Sequence, residues 1–426
     1  MHKLELLARR TGVIGRKRSL GGKELLYMFV FPDAKDCFVS LPRLVDKFRE
    51  IGIRITRQSL HQRFTPQAVD FLKALAGQLL SCRLQESFQL DWATQFGRVM
   101  LLDSTMGETH QRCRQKYKGI ARQKGGAFKL QYCFDLLRGN IELLEPGPGY
   151  QTDAAFRIGS ARENDLWLFD LAYTNSENIT LLRGKKAHFL CRYKFNKNVY
   201  LLKDNQFQKI NLSGIIRKMK VGERWDEQVY WGGQDKIPLR MILEKVPPQV
   251  SEKKKRALKK SRKYSNPTKE RIDFCEVNAY LTNLDTDQLP AQAAQEIYSI
   301  RWQIELCFKQ WKSNLSIAKA PTMNVQRFEV CLWGALVRII ILHKIIDAIR
   351  ISTWNNEKVE ISQAKAFRYI LTLFGKISEA ILYRPKTRKN TLRIAAELLR
   401  QRAIKHNKKG KRKIFEVLQN PSGTLN

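Results

Sequence analysis

Two short apolar runs, Arg98-Val-Met-Leu-Leu-Asp103 and Leu166-Trp-Leu-Phe-Asp170, each end abruptly in an aspartate. Runs this short, bounded by polar turns, read as buried strands rather than helices. In α/β sheets the functional groups gather at the carboxyl ends of the strands, which is where both carboxylates fall. The neighbouring segments agree. Phe128 to Leu137 and Ile141 to Leu144 are two more strand candidates, joined at Arg138-Gly-Asn in a hairpin. Asp153 to Glu163 is expected to be helical, Ser176 to Arg183 forms a further helix, and His188 to Tyr193 forms a fifth strand. The result is a mixed α/β order built on a five-stranded sheet.

The rest of the chain differs in pattern. From Leu41 to Leu80 three short helices are expected: one carries Leu44, Val45 and Phe48, one follows Thr56, and a third is started by Thr65 and Pro66 as cap and first residue. Their Gly-containing turn makes the unit helix-turn-helix-like; plain helical bundles share the pattern, and Arg54, Arg57 and Arg63 tilt the choice toward DNA recognition. Residues 196–286 read as a β-rich insertion with strands at Val199 to Leu202, Gln228 to Trp231, Leu239 to Val246 and Val277 to Leu281. A single helical segment is expected from Pro290 to about Ser313, with helices dominating beyond it.

Charge narrows the partner. The chain carries 77 Lys and Arg against 40 Asp and Glu, a net +37, on a composition 43% hydrophobic that can build cores. Like charge on a compact body is self-repelling, and a polyanion relieves it. Nucleic acid leads, ahead of an anionic membrane surface. The tracts Lys253 to Lys263 and Arg384 to Lys413 concentrate the excess and imply salt-sensitive binding. Glu5, Arg9 and Arg10 interrupt any secretory signal, and Val330 to Ile346, with Arg338, His343 and Lys344, reads as a buried helix rather than a membrane span. The eight cysteines are scattered without a Cys-x2-Cys pair, so structural zinc is not expected and reduced thiols are.

The stretch from Tyr298 to Lys312 adds chemistry. On a continuous helix with Tyr298 at zero, Arg301 falls at about −60°, Glu305 at about −20° and Lys312 at about −40°. Ile300, Ile304, Cys307 and Trp311 take another face. A carboxylate between two cations and a phenol could simply be a solvated face. With Asp103 and Asp170, however, it completes three hard oxygen donors suited to a pair of Mg²⁺ ions, with Mn²⁺ able to substitute, for phosphoryl transfer. Asp135 also ends a strand and Asp153 begins a helix, but Asp153 reads better as a cap and Asp170 is preferred.

Tyr298, Arg301, Glu305 and Lys312 fill a Tyr-x2-Arg-x3-Glu-x6-Lys pattern that resembles the signature of the insertion-sequence-four family of DDE transposases. Asp103-Ser-Thr resembles that family's first aspartate motif and Asp170-Leu-Ala-Tyr173 its second, with Ala where Gly is commoner. The resemblance spans about Arg98 to Ser313. It implies a ribonuclease-H-like catalytic domain in which Asp103, Asp170 and Glu305 bind metal, while Tyr298, Arg301 and Lys312 contact phosphates. The implied layout is a DNA-binding region at 1–90, the catalytic domain at 91–195 and 287–320, the insertion at 196–286, and a helical region with a basic tail at 321–426.

The implied activity is cutting at terminal inverted repeats and joining 3′ ends to target DNA, cut-and-paste through a hairpin intermediate. A homodimer in the DNA synapse and a bacterial, cytoplasmic, nucleoid-associated location follow from the family. A hairpin unstacks a base, which an aromatic ring can receive. Trp225, Trp231 and Trp302 are the candidates, whereas Trp167 and Trp333 read as core. Two rivals stand beside this reading: a non-catalytic DNA-binding regulator or decayed transposase, and a structure-specific nuclease of the same fold.

Overall fold

A computed structural model describes residues 2–15, 20–120, 125–195, 197–260, 266–406 and 412–421. In chain order the helices and strands are α1 (His2–Arg10), α2 (Gly22–Val30), α3 (Leu41–Glu50), α4 (Arg57–His61) and α5 (Pro66–Ser81), then β1 (Arg98–Thr109), β2 (Gly126–Asp135), β3 (Asn140–Pro148), β4 (Asp165–Phe169), α6 (Ser176–Gly184) and β5 (His188–Arg192). There follow β6 (Val199–Lys203), β7 (Gln206–Lys209), α7 (Leu212–Lys218), β8 (Arg224–Trp231), β9 (Ile237–Lys245), α8 (Pro248–Lys260), α9 (Lys269–Asp273) and β10 (Val277–Thr282). The remaining helices are α10 (Ala294–Ser299), α11 (Trp302–Asn314), α12 (Val325–Glu357), α13 (Gln363–Ile370), α14 (Phe374–Leu382), α15 (Arg388–Arg402) and α16 (Ile414–Gln419).

These elements form two compact units, each assembled from three stretches of chain. Unit 1 takes residues Met1–Gln89, Asp103–Gln151 and Gln303–Lys408; unit 2 takes Leu90–Leu102, Thr152–Trp302 and Lys409–Asn426. The division cuts across the expected layout, for physical reasons visible in each unit.

Unit 1 is organised around α12, a helix of 33 residues that is buried over most of its length. Of the N-terminal helices, α2 and α5 pack on it, so the N-terminal region shares a compact unit with the helical region beyond Gln303. The approach of α2 is close: a Cβ on Gly334 of α12 would overlap the Phe29 carbonyl oxygen. Arg338 is buried in the same crossing, where its guanidinium donates to the carbonyls of Val30 and Asp33 at 2.7 Å each. The expected caps form. Thr56 Oγ1 accepts from Ser59 N at 3.1 Å and Thr65 Oγ1 from Ala68 N at 3.2 Å, with Pro66 opening α5. The strands of this unit run β3-β2-β1, joined at the hairpin by Gly139 at φ +61°.

Unit 2 holds the other half of β1, up to Leu102. Its strand order is β1-β4-β5-β10-β9-β8-β6-β7. The β1-β4 and β4-β5 pairs are parallel, with α6 as the second crossover, whereas β10 pairs antiparallel with both β5 and β9. All four expected insertion strands are present. They do not form a layer of their own; through β10 they extend the sheet well beyond a fifth strand. Arg98 and Asp165, 3% and 1% exposed, pair across β1 and β4 with Nε to Oδ1 at 2.8 Å. α16 buries Phe415, Val417 and Leu418, and Arg412 beside it bonds Glu296 of α10 at 3.1 Å.

Two expected helices are revised. Residues 153–163 contain only a 3-10 turn, Asp153–Ala155. The side chain of Asn178 donates to Phe156 O at 3.0 Å and accepts from Ile158 N at 3.1 Å, taking up backbone groups that a helix would have used. The single segment from Pro290 is broken into α10 and α11. At the break Ile300 N and Arg301 N bond three residues back, to Ile297 O and Tyr298 O at 3.1 Å each, the tightening typical of a helix end. The basic tract is helical in α8 to Lys260; its last residues, Arg262 and Lys263, lie outside the described residues, as do 407–411 of the basic tail. No helix among the described residues is long and apolar enough to cross a membrane.

Candidate functional site

The register of β1 on β4 ends by pairing Leu102 with Phe169. The next residue in each case is an aspartate: Asp170 just past the end of β4, and Asp103 in the middle of β1, which runs on to Thr109 and does not end there as expected. Both strands are buried up to that point, and both aspartates are half-exposed. The apolar runs therefore stop where solvent begins.

In unit 2, Asp170 leads into a 3-10 turn, Leu171–Tyr173, and its Oδ1 accepts from the Tyr298 hydroxyl at 3.4 Å. Tyr298 is only 5% exposed. Its ring packs on Tyr280, with centroids 5.5 Å apart, and the guanidinium carbons of Arg192 and Arg301 lie 5.3 and 5.8 Å from its centre. Burial pushes its hydroxyl well above the ordinary tyrosine range; Arg301 and Arg192 oppose this less strongly, and Asp170 adds to it. The phenol is thus a neutral donor that orients a carboxylate. The hydroxyl is directed at Asp170 and the ring is core. Arg192, exposed at the end of β5, is a cation that motif reading did not single out. Its position at a strand's carboxyl end, like that of Asp170, was the available signal.

In unit 1, Asp103 Oδ1 accepts from the backbone of Ser104 at 2.8 Å. Glu305 is half-exposed in the first turn of α11. That helix is anchored through Ile304, Cys307, Phe308 and Trp311, all buried. Phe308 and Trp311 meet Tyr132 of β2 with ring centroids 5.8 and 4.9 Å away. Beyond the helix the chain runs along β1: Glu108 N donates to Ala318 O at 2.8 Å and Ala320 N donates to Glu108 O at 2.9 Å. The helix of Glu305 and the strand of Asp103 are thereby braced within one unit. Lys312 is half-buried, and burial lowers its pKa from the ordinary lysine value.

The break at Ile300 and Arg301 removes the continuous helix on which Tyr298, Arg301, Glu305 and Lys312 were to share one stripe. The apolar face of α11 is where the pattern placed it. Of the tryptophans, Trp302 is 55% exposed and Trp225 is half-buried, but Trp231 is 1% exposed. Trp231 sits inside β8 between its partners Val199 and Ile237, so it is a core residue and not a base acceptor. All eight cysteines are free thiols, and burial pushes those at 191 and 307 up to about 12, far from nucleophilic thiolates.

Among the described residues no group of three or more His, Cys, Asp or Glu side chains lies close enough together to hold a metal ion. Asp103 and Glu305 belong to unit 1 and Asp170 to unit 2. The donor chemistry of the three, all carboxylate oxygens, fits a hard divalent cation and not a soft one.

Residues 94–341 match the family model described as Transposase DDE domain. The chain is 26% identical over 439 residues to the transposase for insertion sequence element IS231B of Bacillus thuringiensis subsp. berliner, covering 97% of this chain and 92% of the relative. It is 25% identical to the transposase for insertion sequence element IS1151 of Clostridium perfringens, covering 98% and 93%. Among solved structures, a piggyBac transposase synaptic complex with hairpin DNA aligns with a TM-score of 0.47 at 12% identity, over 93% of this chain and 81% of that one.

Proposed function

Because the chain belongs to the transposase DDE domain family of insertion-sequence elements, we propose that it cuts DNA at the terminal inverted repeats of its own element and joins the 3′ ends to target DNA. The observation that carries this reading is the parallel register ending on Leu102 and Phe169, which brings two strands to their aspartates in step. Strand order β3-β2-β1 in unit 1 and β1-β4-β5 in unit 2 supports a ribonuclease-H-like catalytic core.

Asp103, Asp170 and Glu305 would hold the ions, Mg²⁺ or in its place Mn²⁺. Bound there, a metal pair lowers the pKa of the attacking hydroxyl and offsets charge on the leaving oxygen. The protein's own groups do the rest. Tyr298 keeps Asp170 in one orientation and gives up no proton. Arg301, Lys312 and Arg192 neutralise phosphates beside the carboxylates, with the arginines able to bind in bidentate fashion. Water attacks the scissile phosphorus and frees a 3′-hydroxyl, which attacks the opposite strand to close a hairpin and release the flanking end; a second water opens the hairpin and restores the 3′-hydroxyl that attacks target DNA. Trp302, and Trp225 in the insertion, would receive the base that the hairpin unstacks. The helices α3 to α5 expose Arg54 and Arg57 for end recognition, and two copies would meet in the DNA synapse, in the nucleoid of a bacterial cytoplasm.

The test is Glu305→Gln in the full chain. Cleavage of end-containing DNA in Mg²⁺ is expected to vanish while end binding stays within about threefold, since an amide keeps the shape and loses the charge. Undiminished cleavage sinks the assignment and favours a non-catalytic DNA binder. Cleavage without joining to target DNA favours a nuclease of the same fold.

A further inference from the structure

Apart from Arg338, the buried face of α12 carries a polar cluster that neither the metal site nor DNA binding uses. His343 is 1% exposed and lies inside an aromatic box whose ring centroids, those of Trp311, Phe367, Tyr132 and Phe134, are 5.7, 5.8, 6.4 and 6.4 Å away. Both ring nitrogens are engaged. Nε2 accepts the indole N–H of Trp311 at 3.2 Å, and Nδ1 lies 3.2 Å from the side-chain amide of Gln363. Asp347, fully buried one turn along α12, pairs with Arg350 at 2.7 Å and places its other oxygen 3.8 Å from Nδ1.

The geometry selects one tautomer. An Nε2 that accepts from an indole carries no proton, so the proton of the neutral ring sits on Nδ1, the side that faces Asp347. An aliphatic residue would fill this box at lower desolvation cost. A buried polar network instead favours a single arrangement. Here the arrangement specified is that of α11. Trp311 follows Glu305 by six residues, about one and two-thirds turns, so the azimuth of one sets the azimuth of the other. Lys312 is the next residue after Trp311.

We propose that His343 is a positioning residue for strand cleavage: by accepting the Trp311 indole N–H it locks the rotation of α11 and so aims Glu305 and Lys312. This rests on the reading of Glu305 as a metal ligand, and the test separates the two.

Single-turnover cleavage of a linear duplex bearing the inverted repeats that border the coding sequence is measured with full-length His343→Leu, His343→Gln and Glu305→Gln. End binding by gel shift and the Tm of each variant are recorded, and cleavage is read well below every Tm. His343→Leu is expected to slow cleavage about tenfold, the scale of one hydrogen bond, with end affinity within about threefold. His343→Gln, whose amide oxygen can accept the indole proton, is expected to recover most of the rate, which a mere packing role would not predict. Trp311→Phe keeps the ring and loses the donor, so it is expected to match His343→Leu and serves if that variant fails to fold. Wild-type cleavage by His343→Leu, equal damage in both His343 variants, or a loss confined to DNA affinity overturns the proposal. An active Glu305→Gln overturns the reading beneath it, whereas an inactive Glu305→Gln beside a fast His343→Leu rejects the positioning role alone.

Discussion

The hydroxyl of Tyr298 donates to Oδ1 of Asp170 at 3.4 Å from a ring that is otherwise core. Tyr298→Phe removes the donor and keeps the packing on Tyr280. Because the bond is long, a loss of roughly threefold to tenfold in cleavage rate is expected, with a higher Mg²⁺ midpoint and little change in Tm. A Mg²⁺ titration of the cleavage rate checks it, and an unmoved midpoint contradicts the orienting role.

Trp231 and Trp302 should part company. Trp231→Ala empties a buried site between β6 and β9 and is expected to cost about 3–5 kcal/mol of stability. Trp302→Ala, at an exposed position, is expected to leave stability within about 0.5 kcal/mol yet weaken binding of distorted end DNA by roughly tenfold, the order of one base stack. Urea unfolding and gel shifts on the same two proteins decide it; equal stability losses would remove Trp302 as a surface contact.

Lys254 gives a pH signature. Burial, aided by Arg192, pulls its pKa down to about 8, while its Nζ donates to Val277 O at 2.9 Å and Asn278 Oδ1 at 2.7 Å. The unfolded chain holds this proton to about pH 10.4. Between those values the unfolded state binds more protons, so the contribution of this site to stability rises with pH; below pH 8 the penalty of the buried charge is fully present. Wild type should therefore gain on Lys254→Met in urea midpoints taken at about pH 7.5, 8.5 and 9.5. A constant difference would show that the site does not titrate there.

Gly334→Ala is expected to destabilise unit 1 by about 1–3 kcal/mol, because the new methyl meets the Phe29 carbonyl and α2 must move away from α12. Thermal unfolding of the full chain is the measurement. A neutral or stabilising change would mean that the crossing is looser than the close approach implies.

What could be read from the residues follows from the range of the forces involved. The strand that stops at Asp170, the insertion strands and the caps at Thr56 and Thr65 are written in periodicity and local hydrogen bonding, and each is present, whereas β1 runs past Asp103 to Thr109. Residues 153–163 lost their helix to Asn178, fifteen or more positions away and without a local signal. The break at Ile300 is a matter of two backbone bonds within a run of good helix formers. α2 escaped notice because it is buried on nearly all sides and shows no amphipathic stripe. The burial of Trp231 depends on which strands flank β8, and the role of Tyr298 depends on a carboxylate 128 residues earlier in the chain.

The clip that Arg412 and α16 make on α10 sets a schedule for the protein's own birth. Unit 2 opens at Leu90, yet Phe415 and Leu418 are part of its core and Arg412 is the partner of Glu296. At translation speeds of about 5–20 residues per second, on the order of 20–60 s separates the first of these residues from the last. From the synthesis of Tyr298 until that of α16, Asp170 and its orienting tyrosine exist in a body whose interior is still open. A product that stops before Arg412 would carry every residue of the signature and still lack a finished unit 2, so the chemistry would be withheld until the core residues of α16 have been made.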